Sequence, residues 1–411
     1  MWARTQLKIG WVDLLTGGMA CILPGNRSGL ADEVEGYFNG EQNAIATYSV
    51  RSGFDLLLQA MDLDQGDEVL FSALNIKGMV TIARRAGAVP VPVDLDVDRM
   101  APSIERLKAA VTPRSKVLVV AHLFGTRLDM QPIVDFAREH GLILVEDCAQ
   151  AFNGRGYTGH PDADLAMFSF GPLKTATALG GALIVVRDTD LSNRMRDIQH
   201  DYPVQKNLAQ FKRILQFSAL KIITSRWVMG LIFRFFDRRD QDYEDAISDN
   251  VRNVAPLGKA KQRRYQPSAG MLALMRRRLN TFNEGSLEAR AAMGRKLRDL
   301  LNGSVVLPAQ GTGYHDYWVF PVLVDDPKAF IKRLRENGFD GADLPRSQAV
   351  PAPDYAEHLT PNIAAQMLAD LVVVPCYPGM PDKEIQRQAD LLRQIAAEVG
   401  TSRTKSYAGM V

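Results

Sequence analysis

Leu142-Ile-Leu-Val-Glu-Asp-Cys-Ala-Gln150 is the stretch on which the fold turns. It reads as a buried strand that delivers Asp147 at its carboxyl end, bounded by small and polar residues. Working outward, further β-rich runs lie at residues 68–71, 89–93, 116–120, 165–169 and 183–186. Between the earlier ones the apolar spacing turns helical, at 54–61 (apolar at 54, 57, 58 and 61), 76–85 and 130–140. Strand–helix alternation from about Thr47 to Val186 predicts an α/β domain with a mostly parallel sheet. Ligands of such sheets bind beyond the carboxyl ends of the strands, so the residues following each strand are the first candidates for a site.

The rest of the chain reads differently. Residues 191 to about 302 are almost wholly helical in pattern. A strand-like run at 317–324, a helix near 328–337, a Pro-rich loop and a helix at 382–399 follow. This predicts a large domain over 1–200, a helical segment over 201–302 and a small α+β domain over 303–411. Of 411 residues 46% are hydrophobic, and 49 basic against 47 acidic side chains leave a net charge of +2. That balance argues against a nucleic-acid binder and for an ordered globular protein. Cys21, Cys148 and Cys376 are too few and too scattered for a disulfide framework, which suits a reducing compartment. Asp13 interrupts the apolar N-terminal stretch, and no charge-free apolar window reaches the ~18 residues of a span. The expected address is the cytoplasm.

Gly154-Arg-Gly-Tyr-Thr-Gly159 fits the dinucleotide pattern G-x-G-x-x-G, but Pro161 and another strand follow where a helix is required. A glycine-rich loop accounts for it better. The stronger signal is a pair. Asp147 could bind a metal, a ribose or a protonated ring nitrogen. Lys174, in Phe168-Ser-Phe-Gly-Pro-Leu-Lys-Thr175, sits among small and apolar residues, where desolvation lowers an amine's pKa and makes it nucleophilic. An Asp for a pyridinium nitrogen and a Lys for a Schiff base are the paired requirements of pyridoxal 5'-phosphate. Tyr48-Ser-Val-Arg-Ser-Gly-Phe54 before a helix offers a phosphate cradle. No metal site is expected.

Together with Gly66-Asp-Glu-Val69, Val91-Pro-Val-Asp94, Thr112-Pro-Arg114, His122-Leu-Phe-Gly125 and Val374-Pro-Cys-Tyr-Pro-Gly-Met380, these segments resemble the DegT/DnrJ/EryC1/StrS family. The resemblance implies a fold-type-I, PLP-dependent aminotransferase that moves an amino group from an amino acid, usually glutamate, to a keto-sugar or related carbonyl acceptor. It also implies a homodimer with sites between subunits. Carried over, Lys174 resembles the Schiff-base lysine and acid–base, Asp147 the partner of the ring nitrogen, and Gln150 the contact to the ring's phenolic oxygen. Ser52, Ser169 and the amides of Gly53 and Phe54 match the phosphate site, and Ile76 stands where an aromatic usually stacks. Arg264 is a candidate for a phosphate contact across the dimer. A PLP-binding regulator without turnover, or a condensing or eliminating PLP enzyme, are the alternatives.

One segment falls outside the resemblance. From 202 to 236 there are six basic residues and no acid, interleaved with Phe, Leu, Ile and Trp227. Such a stretch either packs on protein or lies in a membrane interface. Peripheral contact of 206–236 with the inner face of the membrane, and a lipid-linked acceptor, follow from the second reading.

Overall fold

The computed structural model describes residues 1–4, 6–38, 43–223, 264–345 and 347–400. Helices α1 (Trp11–Ile22) and α2 (Arg27–Glu35) precede seven strands of one sheet: β1 (Asn43–Thr47), β2 (Glu68–Ser72), β3 (Val89–Val93), β4 (Ser115–Ala121), β5 (Ile143–Asp147), β6 (Leu165–Ser169) and β7 (Ala182–Val186). Between them run α3 (Val50–Met61), α4 (Lys77–Arg85), α5 (Ile104–Ala110) and α6 (Gln131–Glu139). The spatial order is β1-β7-β6-β5-β4-β2-β3. Pairs from β6 to β3 are parallel, while β7 runs antiparallel to both of its neighbours. The expected mostly parallel α/β domain is therefore present. Each central strand is buried on both faces, which is why the strands read as unbroken apolar runs.

Among the described residues four helices follow, α7 (Thr189–His200), α8 (Asn207–Ile223), α9 (Ala269–Asn280) and α10 (Gly285–Leu301). The C-terminal part pairs β8 (Phe320–Leu323) antiparallel with β9 (Leu371–Val374) and adds α11 (Pro327–Glu336), α12 (Asn362–Asp370) and α13 (Asp382–Val399). Ile214 and Phe217 of α8, with Met271 and Leu274 of α9, join the core beside the sheet, whereas Leu297 and Leu301 of α10 join the C-terminal core. Trp2 reaches that same C-terminal core, and its ring N–H donates to Glu384 at 2.8 Å.

Several segments that carry the resemblance act as ties within the fold. Glu68, fully buried, accepts from Thr112, Ser115, Arg114 and Tyr355. The carboxylate of Asp94 accepts the amides of Ile363 and Ala364, each at 2.9 Å, and so caps α12 from a distant part of the chain. All three cysteines are buried and unpaired.

Candidate active site

The carboxyl ends of β4, β5 and β6 lie level, with Ala121 and Met167 flanking Asp147. Alternation along β5 sends Glu146 and Asp147 to opposite sides of the sheet. Glu146 is completely enclosed. It accepts from His122 Nε2 at 2.6 Å, from the Tyr157 hydroxyl, and from the His160 amide at 2.7 Å. Burial would raise its pKa, but these bonds hold it at about 2. The Leu128 amide donates to His122 Nδ1, so the ring proton lies on Nε2 and points at Glu146. His122, Glu146 and Cys148 converge closely enough to suggest a metal, but their polar atoms are engaged with one another. Gly159 closes this network, since a Cβ there would collide with Ala166 and crowd Glu146. The G-x-G-x-x-G loop thus serves packing.

Asp147 has a different environment. One oxygen accepts the Ala149 amide at 3.0 Å. Burial pushes its pKa up, opposed by that bond and by the positive charge of Lys174. Lys174 comes from the loop after β6, in a turn closed by its own amide on the Gly171 carbonyl. Burial brings its pKa down to about 8; Asp147 opposes the shift and Arg51 reinforces it. The Ser169 hydroxyl is close by, accepting from the Gly171 amide at 3.5 Å. Trp318, from the C-terminal part, places its ring 4.6 Å from Lys174 Nζ and donates its indole N–H to the Leu173 carbonyl.

Gln150 accepts the Phe124 amide at 2.7 Å, fixing the His122-Leu-Phe-Gly125 loop. That loop is held from the other side as well. Gly125, at φ +96°, accepts the Asp316 amide on its carbonyl, and a Cβ there would strike the Asp316 carboxylate and the Trp318 backbone. Asp316 forms a fully buried pair with Arg290 at 2.5 Å, and Arg290 also donates to the Thr175 hydroxyl, next to Lys174. Lys8 joins this cluster, its pKa brought to about 7 by burial and by Arg290. The C-terminal part therefore grips both loops that border Lys174.

The segment expected to cradle a phosphate enters its helix earlier than the apolar spacing predicts. Helix α3 begins at Val50, four residues before the apolar spacing suggested, because Ser49 caps it by accepting the Ser52 amide. The Gly53 amide donates to the Ser49 carbonyl inside the helical ladder, and Phe54 lies a full residue further in, its side chain buried against Phe71. Neither amide belongs to the open first turn. Gly53 is glycine because a Cβ would collide with Ile184 of β7. Ser52 is buried, with its hydroxyl 3.0 Å from that of Ser49. Ile76 is partly exposed at the end of a short strand, Leu74–Ile76, paired with Ser347–Ala349. Arg264 is engaged by Asp55 of the same chain at 2.9 Å. Ser49, Arg51, Trp318 and the Arg290–Asp316 pair were not singled out from sequence. Ser49, three residues before another serine at a helix start, carries a readable signal; the contacts of Arg290 with Thr175 and of Trp318 with Leu173 span more than a hundred residues and carry none.

Residues 23–217 match the DegT/DnrJ/EryC1/StrS aminotransferase family. The chain is 34% identical over 187 residues to a UDP-N-acetyl-3-dehydro-α-D-glucosamine 3-aminotransferase of Acidithiobacillus ferrooxidans, covering 44% of this chain and 50% of that protein. It is 36% identical over 159 residues to the GDP-perosamine synthase of Caulobacter vibrioides, covering 38% and 43% respectively. The chain thus matches about half the length of these curated relatives. The crystal structure of the aminotransferase TlmJ from Streptoalloteichus hindustanus shares the fold, with a TM-score of 0.69 at 18% identity over 97% of this chain and 99% of that one. Residues 23–217, just under half of the chain, are thus similar to the DegT/DnrJ/EryC1/StrS aminotransferases.

Proposed function

We propose that the protein is a pyridoxal-phosphate-dependent aminotransferase that carries an amino group from an amino acid, with glutamate the first candidate, to a keto-sugar. The observation that carries this reading is that Asp147 ends β5 while Lys174 lies in the loop after β6, the strand paired with β5, where each charge acts on the other. The residues fit the cofactor. Asp147 has accepted a single amide and keeps capacity for a protonated ring nitrogen. Ser49, Arg51 and Ser52 lie on the first turn of α3, where an anion is favoured by the helix dipole, and Arg51 is charge-coupled to Lys174. Ser169 and Gln150 border the same loops. Pyridoxal phosphate, when bound, supplies a carbonyl for the amine and a ring that accepts electrons.

The protein's own share is to hold and move protons. With a pKa of about 8, Lys174 is available as a neutral amine near physiological pH, where an ordinary lysine is almost wholly protonated. From that state Nζ can take a proton from a substrate carbon and return it. Trp318 covers the amine and limits water access on that side. The keto-sugar acceptor is supported by the two curated relatives, both named for amino-sugar formation. A homodimer, a cytoplasmic address and peripheral membrane contact through 206–236 belong to the same proposal. Of the last segment, residues 206–223 are described and residues 224–236, including Arg226, Trp227 and Phe235, lie outside the described residues. No helix among the described residues is long and apolar enough to cross a membrane.

The test is direct. Protein loaded with pyridoxal phosphate should absorb in the violet, and an amino donor should bleach that band in a single turnover. Protein that stays colourless with added cofactor overturns the reading. Colour without a half-reaction for any donor would favour a binding-only regulator.

A further inference from the structure

Helix α1 turns an apolar face outward. Trp11, Leu15, Met19 and Ile22 are all exposed, Leu15 by 68% and Met19 by 54%. At ~100° per residue they fall within an arc of roughly 80°. Its opposite side is buried: Gly17 and Gly18 let α8 approach, with Ile214 and Phe211 against them. Lys221, near the end of α8, lies 5.9 Å from the ring of Trp11 at the start of α1. The two helices therefore run antiparallel, side by side. Along α8, Leu208, Leu215 and Ile222 recur every seven residues and are also exposed, so both helices present apolar rows to solvent.

Charge on this face has one sign. The only charged side chain of α1, Asp13, is buried and held by Arg277 and Arg278 at 2.7 Å each. Helix α8 contains no acid. Lys206 and Lys212 are exposed, Lys212 one turn from Leu208 and Leu215, and Lys221 reaches the ring of Trp11 on the other helix. A broad apolar face with a tryptophan and a cationic rim is complementary to the interface of an anionic bilayer, where lysine stems lie along the apolar surface and ammonium groups meet phosphates.

We propose that α1 and α8 together form a docking surface for an anionic phospholipid membrane, with both helices lying in the plane of the headgroups. This rests on the peripheral-membrane part of the reading above and relocates it, adding α1, which the basic stretch at 206–236 did not include. It is independent of the aminotransferase assignment.

Flotation of the full-length protein with phosphatidylcholine vesicles, with and without phosphatidylglycerol, tests the proposal. Wild type should float with the anionic vesicles, poorly with the neutral ones, and less as salt is raised. Leu15→Glu/Met19→Glu should lower the bound fraction by about tenfold or more, and each of Lys212→Glu and Lys221→Glu by about fivefold. Circular dichroism and the amino-donor half-reaction without vesicles should be unchanged in all of them, since these side chains lie on the outside. Absence of wild-type binding, or binding that ignores lipid charge, overturns the proposal. So does flotation lost only in Leu231→Asp/Phe235→Asp and kept in Leu15→Glu/Met19→Glu, which would leave membrane contact standing elsewhere. Conversion of a dimer to a monomer by Leu15→Glu/Met19→Glu, without vesicle binding by wild type, would assign the face to a second copy instead. Failure of the half-reaction in wild type would sink the aminotransferase reading and leave the flotation result intact.

Discussion

Glu146 and Asp147 are neighbours in one strand and carry the same functional group, yet the two sides of the sheet treat them oppositely. On one side Glu146 is saturated by His122, Tyr157 and the His160 amide, and its pKa falls to about 2. On the other, Asp147 has one backbone donor, a lysine at a distance and a raised pKa. A carboxylate whose acceptor capacity is used up holds a fold together. One left under-bonded keeps that capacity for a ligand. The signs of the two shifts differ accordingly. Glu146 contributes stability that is complete above the ordinary glutamate pKa and is lost as pH falls toward about 2. The charge on Asp147 works against folding above the ordinary aspartate pKa, a penalty relieved as pH falls through the raised value.

The largest expected effect breaks the functional side. Lys174→Ala should lower the half-reaction by at least about a thousandfold, measured by single-turnover absorbance with saturating donor. Next comes the clamp that holds both loops. Asp316→Ala leaves Arg290 buried without its partner and should cost about 3–5 kcal/mol in a urea titration. Glu146→Gln removes a charge that three donors were arranged to meet, and a loss of about 2 kcal/mol is expected, with activity per folded molecule largely kept. Asp147→Asn should leave the melting temperature of the cofactor-free protein unchanged or raised. The smallest effect sharpens the pH argument. Cofactor uptake should rise with pH around a midpoint near 8, as set by Lys174. Trp318→Leu removes a ring that favours the ammonium form, so that midpoint should drop by up to about one unit in a pH series of uptake rates.

Much of this arrangement is legible in the chain itself. Residues 142–150 predict a buried strand with Asp147 at its end, and β5 occupies residues Ile143–Asp147. The apolar environment of Lys174 is visible in Phe168, Phe170 and Ala176, which are fully buried. Helix α3 starts before its apolar spacing does because that spacing marks where a helix begins to pack, whereas a cap marks where it begins; Ser49 decides the latter. At Gly53 the glycine also makes room for Ile184, a contact periodicity cannot reveal. The motifs at Glu68, Asp94 and His122 fasten the fold. Trp318 and Arg290 reach the site through tertiary packing alone and left no local trace.

The comparison and the functional reading meet in one experiment, the single-turnover half-reaction of Asp147→Asn beside Glu146→Gln, normalised to folded protein. The account predicts a fall of at least about a thousandfold for Asp147→Asn and less than about tenfold for Glu146→Gln. An Asp147→Asn protein that turns over like wild type, or a Glu146→Gln protein that folds fully and is the one without activity, would contradict it.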